Sequence, residues 1–192
     1  MSFAKIVGST SHVTYIARML ADGEASGDGA RGFGAFVSMT SGDEATVGVI
    51  CDSRLVNPEY AASSPRLGQA NALSELKRDQ IDENKALIAI LLLGSISGGN
   101  VSHQVPRNML PAGTEVVSMD ADAVRKFHTA RDGSVQMHYL PNLITQTGSL
   151  ATPLANYIIE QVGTHFPDNE RRRLAVMSEA LAWKHAFGES RF

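Results

Sequence analysis

Cysteine is nearly absent. Cys51 stands alone among 192 residues, so no internal disulfide can form and a reducing cytoplasm is the expected setting. Aromatic residues make up only 6%, too few for a broad surface on which nucleic-acid bases would stack. Charge of one sign is scarce as well: a net −3 exerts no global pull toward nucleic acid or an anionic membrane. No apolar run reaches the length of a membrane helix, and the first residues carry one Lys and no apolar core, unlike a signal peptide. Internal repeats and low-complexity tracts are missing too. What remains is an ordinary globular composition, 43% hydrophobic and 19% charged, with ample length for one domain and an appendage or for two small domains.

The stretch around which the chain is organised runs from Lys85 to Phe127. Ala86 to Leu93 is the longest apolar run, closed by Gly94; it suits a strand buried on both faces. Gly98-Gly99, Pro106 and Pro111-Ala112-Gly113 then lead to a strand expected over 113–119. Asp120 caps a short helix expected to reach Arg131. Upstream, Ala4 to Val13 reads as a strand that Thr14 to Met19 extends or pairs with. Phe33 to Met39 and Ala45 to Cys51 flank the turn Thr40 to Asp43 and make the clearest hairpin. The spacing of Ala70, Leu73, Leu76 and Ile81 predicts a helix over 69–84.

Beyond Asp132-Gly133 a strand is expected over 135–140, and from Leu143 the pattern turns helical. Thr152-Pro153 reads as the cap and first position of a helix running to Val162 with Gly163 as its stop, and Pro167-Asp168 opens a second helix ending near Gly188. The expectation is an α+β, mainly β chain: a small closed or partly open antiparallel β-barrel over 1–143, then a two-helix tail over 144–192.

Candidate chemistry is thin. The six histidines are scattered singly, without the spacing a zinc site needs, and no metal or cofactor is expected. Ser11 and His12, as strand neighbours, face opposite ways and make a poor nucleophile–base pair. Cys51 at a strand end reads as a small buried hydrophobe. Asp120/Asp122 and Asp79/Asp82/Glu83 read as helix caps and solvated charge rather than a Mg²⁺ site. Thr145-Gln146-Thr147-Gly148-Ser149 resembles the front of a phosphate-binding loop, but Leu150-Ala151-Thr152 follows where Gly-Lys-Ser/Thr is required. No catalytic residue is assigned.

Leu93-Gly94, Pro106, Pro111-Ala112-Gly113-Thr114-Glu115-Val116 and the helix from Ala121 to Phe127 together resemble the end of the HAS-barrel. That module is the N-terminal β-barrel of HerA-type DNA-translocating ATPases, related to the barrel crown of rotary ATP synthases. Ile6 to Ser11 and Ala45 to Ile50 resemble other strands of that barrel, so the resemblance covers roughly residues 4–143. Family members continue into an ATPase domain. Here the loop lysine is missing and about 40 residues follow, so the resemblance implies a barrel whose motor is absent or reduced to helices.

Three functions follow as expectations. The first is a non-enzymatic assembly or adaptor module in DNA processing. It would be a homo-oligomer, or dock onto a separate HerA-like ATPase or a nuclease, meeting nucleic acid only indirectly and no membrane. Arg171, Arg172, Arg173, Leu181 and Trp183 are its candidate interface. The second is a small nucleic-acid-binding barrel, which needs Arg66, Lys77, Arg78 and Arg171 to Arg173 to converge on one face. The third is a small-ligand or enzymatic protein with a pocket near His138, Tyr139 and Trp183.

Overall fold

A computed structural model describes residues 1–20, 31–56 and 85–188, with the side chains of 55–56, 85 and 181–188 outside that description. Among the described residues seven strands are present: β1 (Ser2–Ser9), β2 (Thr14–Met19), β3 (Phe36–Ser41), β4 (Glu44–Val56), β5 (Lys85–Ser97), β6 (Asn100–Ser102) and β7 (Glu115–Ser118). Every pairing is antiparallel. The order β2-β1-β7-β3-β4-β5 closes on itself through β2 against β5, where Tyr15 faces Ile90, giving a six-strand barrel. Closure removes the unpaired edges that an open sheet would present.

Alternation along each strand creates two cores. Ile88, Ile90 and Leu92 of β5 join Phe3, Ile6, Tyr15, Val37, Met39, Ile50 and Val116 in the barrel interior. Leu91 and Leu93 face outward and join Phe36, Val47, Val49 and Cys51 in a second cluster. Both faces of β5 are thus covered, which is why its sequence is apolar without a break. Leu110 closes into the interior cluster, and its N–H donates to the buried Tyr15 hydroxyl at 3.1 Å.

Three glycines are structural necessities. Gly98 and Gly99, at φ +54° and +82°, form the two-residue turn between Ser97 and Asn100 that returns the chain from β5 into β6. At Gly94 a Cβ would collide with the Ser102 carbonyl, so only glycine lets β6 approach β5 this closely.

The second cluster is covered by helices α1 (Ala121–His128), α2 (Leu140–Thr147), α3 (Ala151–Gly163) and α4 (Asp168–Gly188), with a 3₁₀ turn at Gly148–Leu150 between α2 and α3. Val124, Phe127, Leu140, Leu143, Leu154, Ile158 and Val162 pack against the barrel wall. Each buried aliphatic side chain contributes about 1.5–3 kcal/mol by leaving water. Residues 143 and 144, the expected border between barrel and tail, both lie inside α2, and this cluster runs across them.

The α+β barrel, the 33–51 hairpin and the two last helices follow the sequence expectation, with shifts of a few residues at the ends. Asp120 caps α1 as expected, accepting from the Ala123 N–H at 2.8 Å. The strand expected over 135–140 is not formed. Val135 makes a single bridge to Thr129, and the chain enters α2 at Leu140. The alternation of Val135, Met137 and Tyr139 is real burial, but these residues pack onto helices and have no partner strand.

Ahead of the two expected tail helices, α2 spans the border at 143/144, with Pro141 in its first turn, where no N–H is needed. Thr152 is not a cap: α3 already begins at Ala151, with Pro153 in its first turn, a position equally free of an N–H bond. The helix expected over 69–84 lies outside the described residues.

Candidate functional site

The most concentrated polar arrangement lies where α1, the end of β6 and the start of α2 meet. His128 ends α1 and is fully buried. Its Nδ1 lies 2.8 Å from the Val124 carbonyl and its Nε2 2.7 Å from the Tyr139 hydroxyl. A carbonyl only accepts, so Nδ1 carries the proton and Nε2 accepts from Tyr139. His103 repeats this logic: its Nε2–H donates to the Phe127 carbonyl at 2.9 Å, and its Nδ1 accepts from the His138 N–H at 3.2 Å. Phe36 and Phe127 set ring edges and faces around His128 at 5.0 and 5.1 Å.

Burial, chiefly, holds both histidines neutral. His128 is pushed down to about 3, only partly offset by its bond to Val124, and His103 is lowered by the same cause. Burial also raises the Tyr139 phenol. The pair therefore keeps its protons where the bonding needs them and acts as a polar pin between α1 and α2.

His103, His128 and Tyr139 are far apart in the chain, and nothing in their spacing announces the cluster. Of the pocket expected near His138, Tyr139 and Trp183, Tyr139 is buried in the core, His138 is exposed, and the Trp183 side chain lies outside the described residues.

The phosphate-loop-like stretch is helical. Thr145, Gln146 and Thr147 end α2, and Gly148 and Ser149 enter the 3₁₀ turn; no strand precedes them. Thr145 and Thr147 donate their hydroxyls back to the Pro141 and Leu143 carbonyls at 2.9 and 2.8 Å. Gln146, Thr147 and Leu150 do line a crevice of about 380 Å³ against Ile16, Cys51 and Arg54 of the barrel wall. The Cys51 thiol there contacts the Ala89 carbonyl at 3.5 Å, and burial, with Asp52 adding to it, pushes it up to about 11. A protonated thiol is a poor nucleophile, in keeping with its reading as a small hydrophobe. Ser11 and His12 also act apart: the Ser11 hydroxyl accepts from Val13 and Thr14, while His12 Nε2 meets the Pro106 carbonyl at 2.7 Å.

The basic cluster on α4 is divided among three tasks. Arg171 Nε donates to the Gly163 and Phe166 carbonyls at 3.0 Å each, closing the end of α3. Arg173 pairs at 3.1 Å with Glu170, a buried carboxylate that also accepts from the Val135 N–H at 3.0 Å. Arg172 points to solvent.

Beyond Leu174, which is buried, Val176 is 65% exposed and Met177 37%, and Tyr157 of α3 is 48% exposed. Leu181 and Trp183 continue α4 with side chains outside the described residues. A separate cleft of about 700 Å³ between the β5–β6 turn and α1 gathers Arg125, Lys126 and Arg131 beside Asn100, Gln136 and one carboxylate, Asp122. Among the described residues, no group of three or more His, Cys, Asp or Glu is placed to hold a metal ion.

A family profile described as a domain of unknown function, DUF8166, matches residues 1–190, and the chain belongs to that family. No curated protein matches it.

Proposed function

We propose that the protein is an assembly or adaptor module. Its barrel is a rigid base from which the α3–α4 pair presents an association surface. The observation that carries this reading is apolar surface left in water on a helix pair otherwise well anchored. Val176, Met177 and Tyr157 are exposed, while Leu174 and the Glu170 carboxylate tie the same helix pair to the body. The resemblance to the HAS-barrel supports the same reading, since that barrel assembles rings and docks partners. A HerA-like ATPase or a nuclease acting on DNA in the cytoplasm is the partner it suggests, on fold analogy alone.

Light scattering across a concentration series, with and without ATP–Mg²⁺, tests it. A stable oligomer, indifferent to nucleotide, is the expected result. A monomer at high concentration removes self-assembly, and failure to retain a HerA-like motor in a pull-down then removes docking as well. A nucleotide-dependent mass would return attention to the 145–152 stretch.

The cleft holding Arg125, Lys126 and Arg131 favours a second reading, contact with nucleic-acid phosphates. These cations cluster at the C-terminal end of α1, where the helix dipole already attracts positive charge, so a solvated helix end accounts for them equally well. Anisotropy of a labelled single strand would decide it: binding that weakens steeply with salt supports the phosphate reading, and flat anisotropy removes it.

A further inference from the structure

Helix α4 has two distinct faces. Arg171, Leu174, Ala175 and Ser178 line the seam with α3, and Ser178 donates to Asn156 at 2.8 Å. Arg172, Val176 and Glu179 recur at i, i+4 and i+7 and are exposed, so they share the face turned away from that seam. In the sequence the same spacing runs on to Trp183 and Phe187.

Neither Arg172 nor Glu179 forms an ion pair among the described residues, although Arg171 and Arg173, on either side of Arg172, both do. Seven residues of helix set Arg172 and Glu179 roughly 10 Å apart along one axis, too far to pair within the chain. They lie almost symmetrically about the exposed Val176, and they carry opposite charges.

We infer that this face pairs with the same face of a second copy, the two α4 helices running antiparallel about a two-fold axis close to Val176. Antiparallel pairing sets Val176 against the Val176 of the other copy and brings each Arg172 opposite the Glu179 of the other helix, making two equivalent ion pairs. Parallel pairing would stack Arg172 on Arg172 and Glu179 on Glu179, so the charge pattern selects the orientation. The two contacting surfaces are identical, and such an interface closes at two subunits. The inference rests on the assembly reading and names its partner as this same chain. One helix pair is a small contact, so the dimer is expected to be weak and concentration-dependent.

Sedimentation equilibrium of the full chain and of three surface variants tests it. Arg172→Glu alone and Glu179→Arg alone each place like charges in both pairs, and each should weaken the dimer about tenfold or more. The double variant carrying both changes swaps the charges and should restore the mass, as should mixing the two single variants, which re-forms both pairs in a heterodimer. Unchanged thermal melting of the monomers shows that the variants remain folded. If the wild type dimerises but the single variants do so equally well, the α4 pairing is overturned while assembly through another surface stands. If the single variants dissociate and neither the swap nor the mixture recovers, the ion pairing is overturned. A wild-type monomer at every concentration removes the pairing and self-assembly together.

Discussion

The inside and the outside of the same barrel wall are built by different rules. The interior is filled by Phe3, Ile6, Met39, Ile88, Ile90 and Leu92, and there the Tyr15 hydroxyl accepts from the Leu110 N–H. The outer core, where helices cover β3, β4 and β5, buries His128, Tyr139 and Glu170 among its aliphatics. A closed barrel has its geometry set by strand pairing, so apolar volume is enough to fill it. Helices lying on a sheet can slide and rotate, and buried hydrogen bonds that must be satisfied restrict them to one arrangement.

Damage to the interior should therefore be the most costly. Ile90→Ala leaves a cavity that the paired strands cannot close, and it should lower the free energy of unfolding by about 2–5 kcal/mol in a denaturant titration. A loss under 1 kcal/mol would mean that the interior is loosely packed.

The outer core should be the acid-sensitive one. A histidine with a depressed folded pKa stabilises fully above its unfolded value near 6.5, and that contribution is lost as pH falls toward about 3, because the unfolded chain binds a proton the native state refuses. Stability should drop by roughly 1 kcal/mol per pH unit below about 6 on account of His128. His103 acts in the same direction. His128→Gln should flatten this slope; an unchanged slope would assign the acid sensitivity to other groups.

Tyr139→Phe removes the donor from His128 Nε2 and leaves it buried and unpaired. The expected loss is about 1–3 kcal/mol, read as a shift of the denaturation midpoint at neutral pH. The smallest effect belongs to Glu170→Gln, because an amide oxygen still accepts from the Val135 N–H, while the partner charge of Arg173 and the bond from the Asn169 amide to Oε1 are lost. A change of about 1 kcal/mol or less is expected. A larger loss would show that the carboxylate, rather than the hydrogen bond, ties α4 to the body.

Features carried by neighbouring residues were legible from the chain alone. The apolar run of β5, the turn between β3 and β4 and the Asp120 cap each depend on a few adjacent residues. Val135, Met137 and Tyr139 show the limit of this logic: alternation reports burial, and a strand also needs a neighbour to bond with. The likeness of Thr145 to Ser149 to a phosphate loop failed for a related reason. Such a loop works only between a strand and a helix N-terminus, and here the chain is already helical.

Periodicity, turn residues and caps thus decided that this chain would make a mainly β domain with helices after it. These are short-range effects of sterics and backbone hydrogen bonding, felt within a few residues. Two features depended on long-range approach instead: closure of β2 onto β5, and the meeting of His103 with His128 and Tyr139. Each joins groups whose contact is set by the packing of whole elements, and no local pattern encodes where those elements will lie.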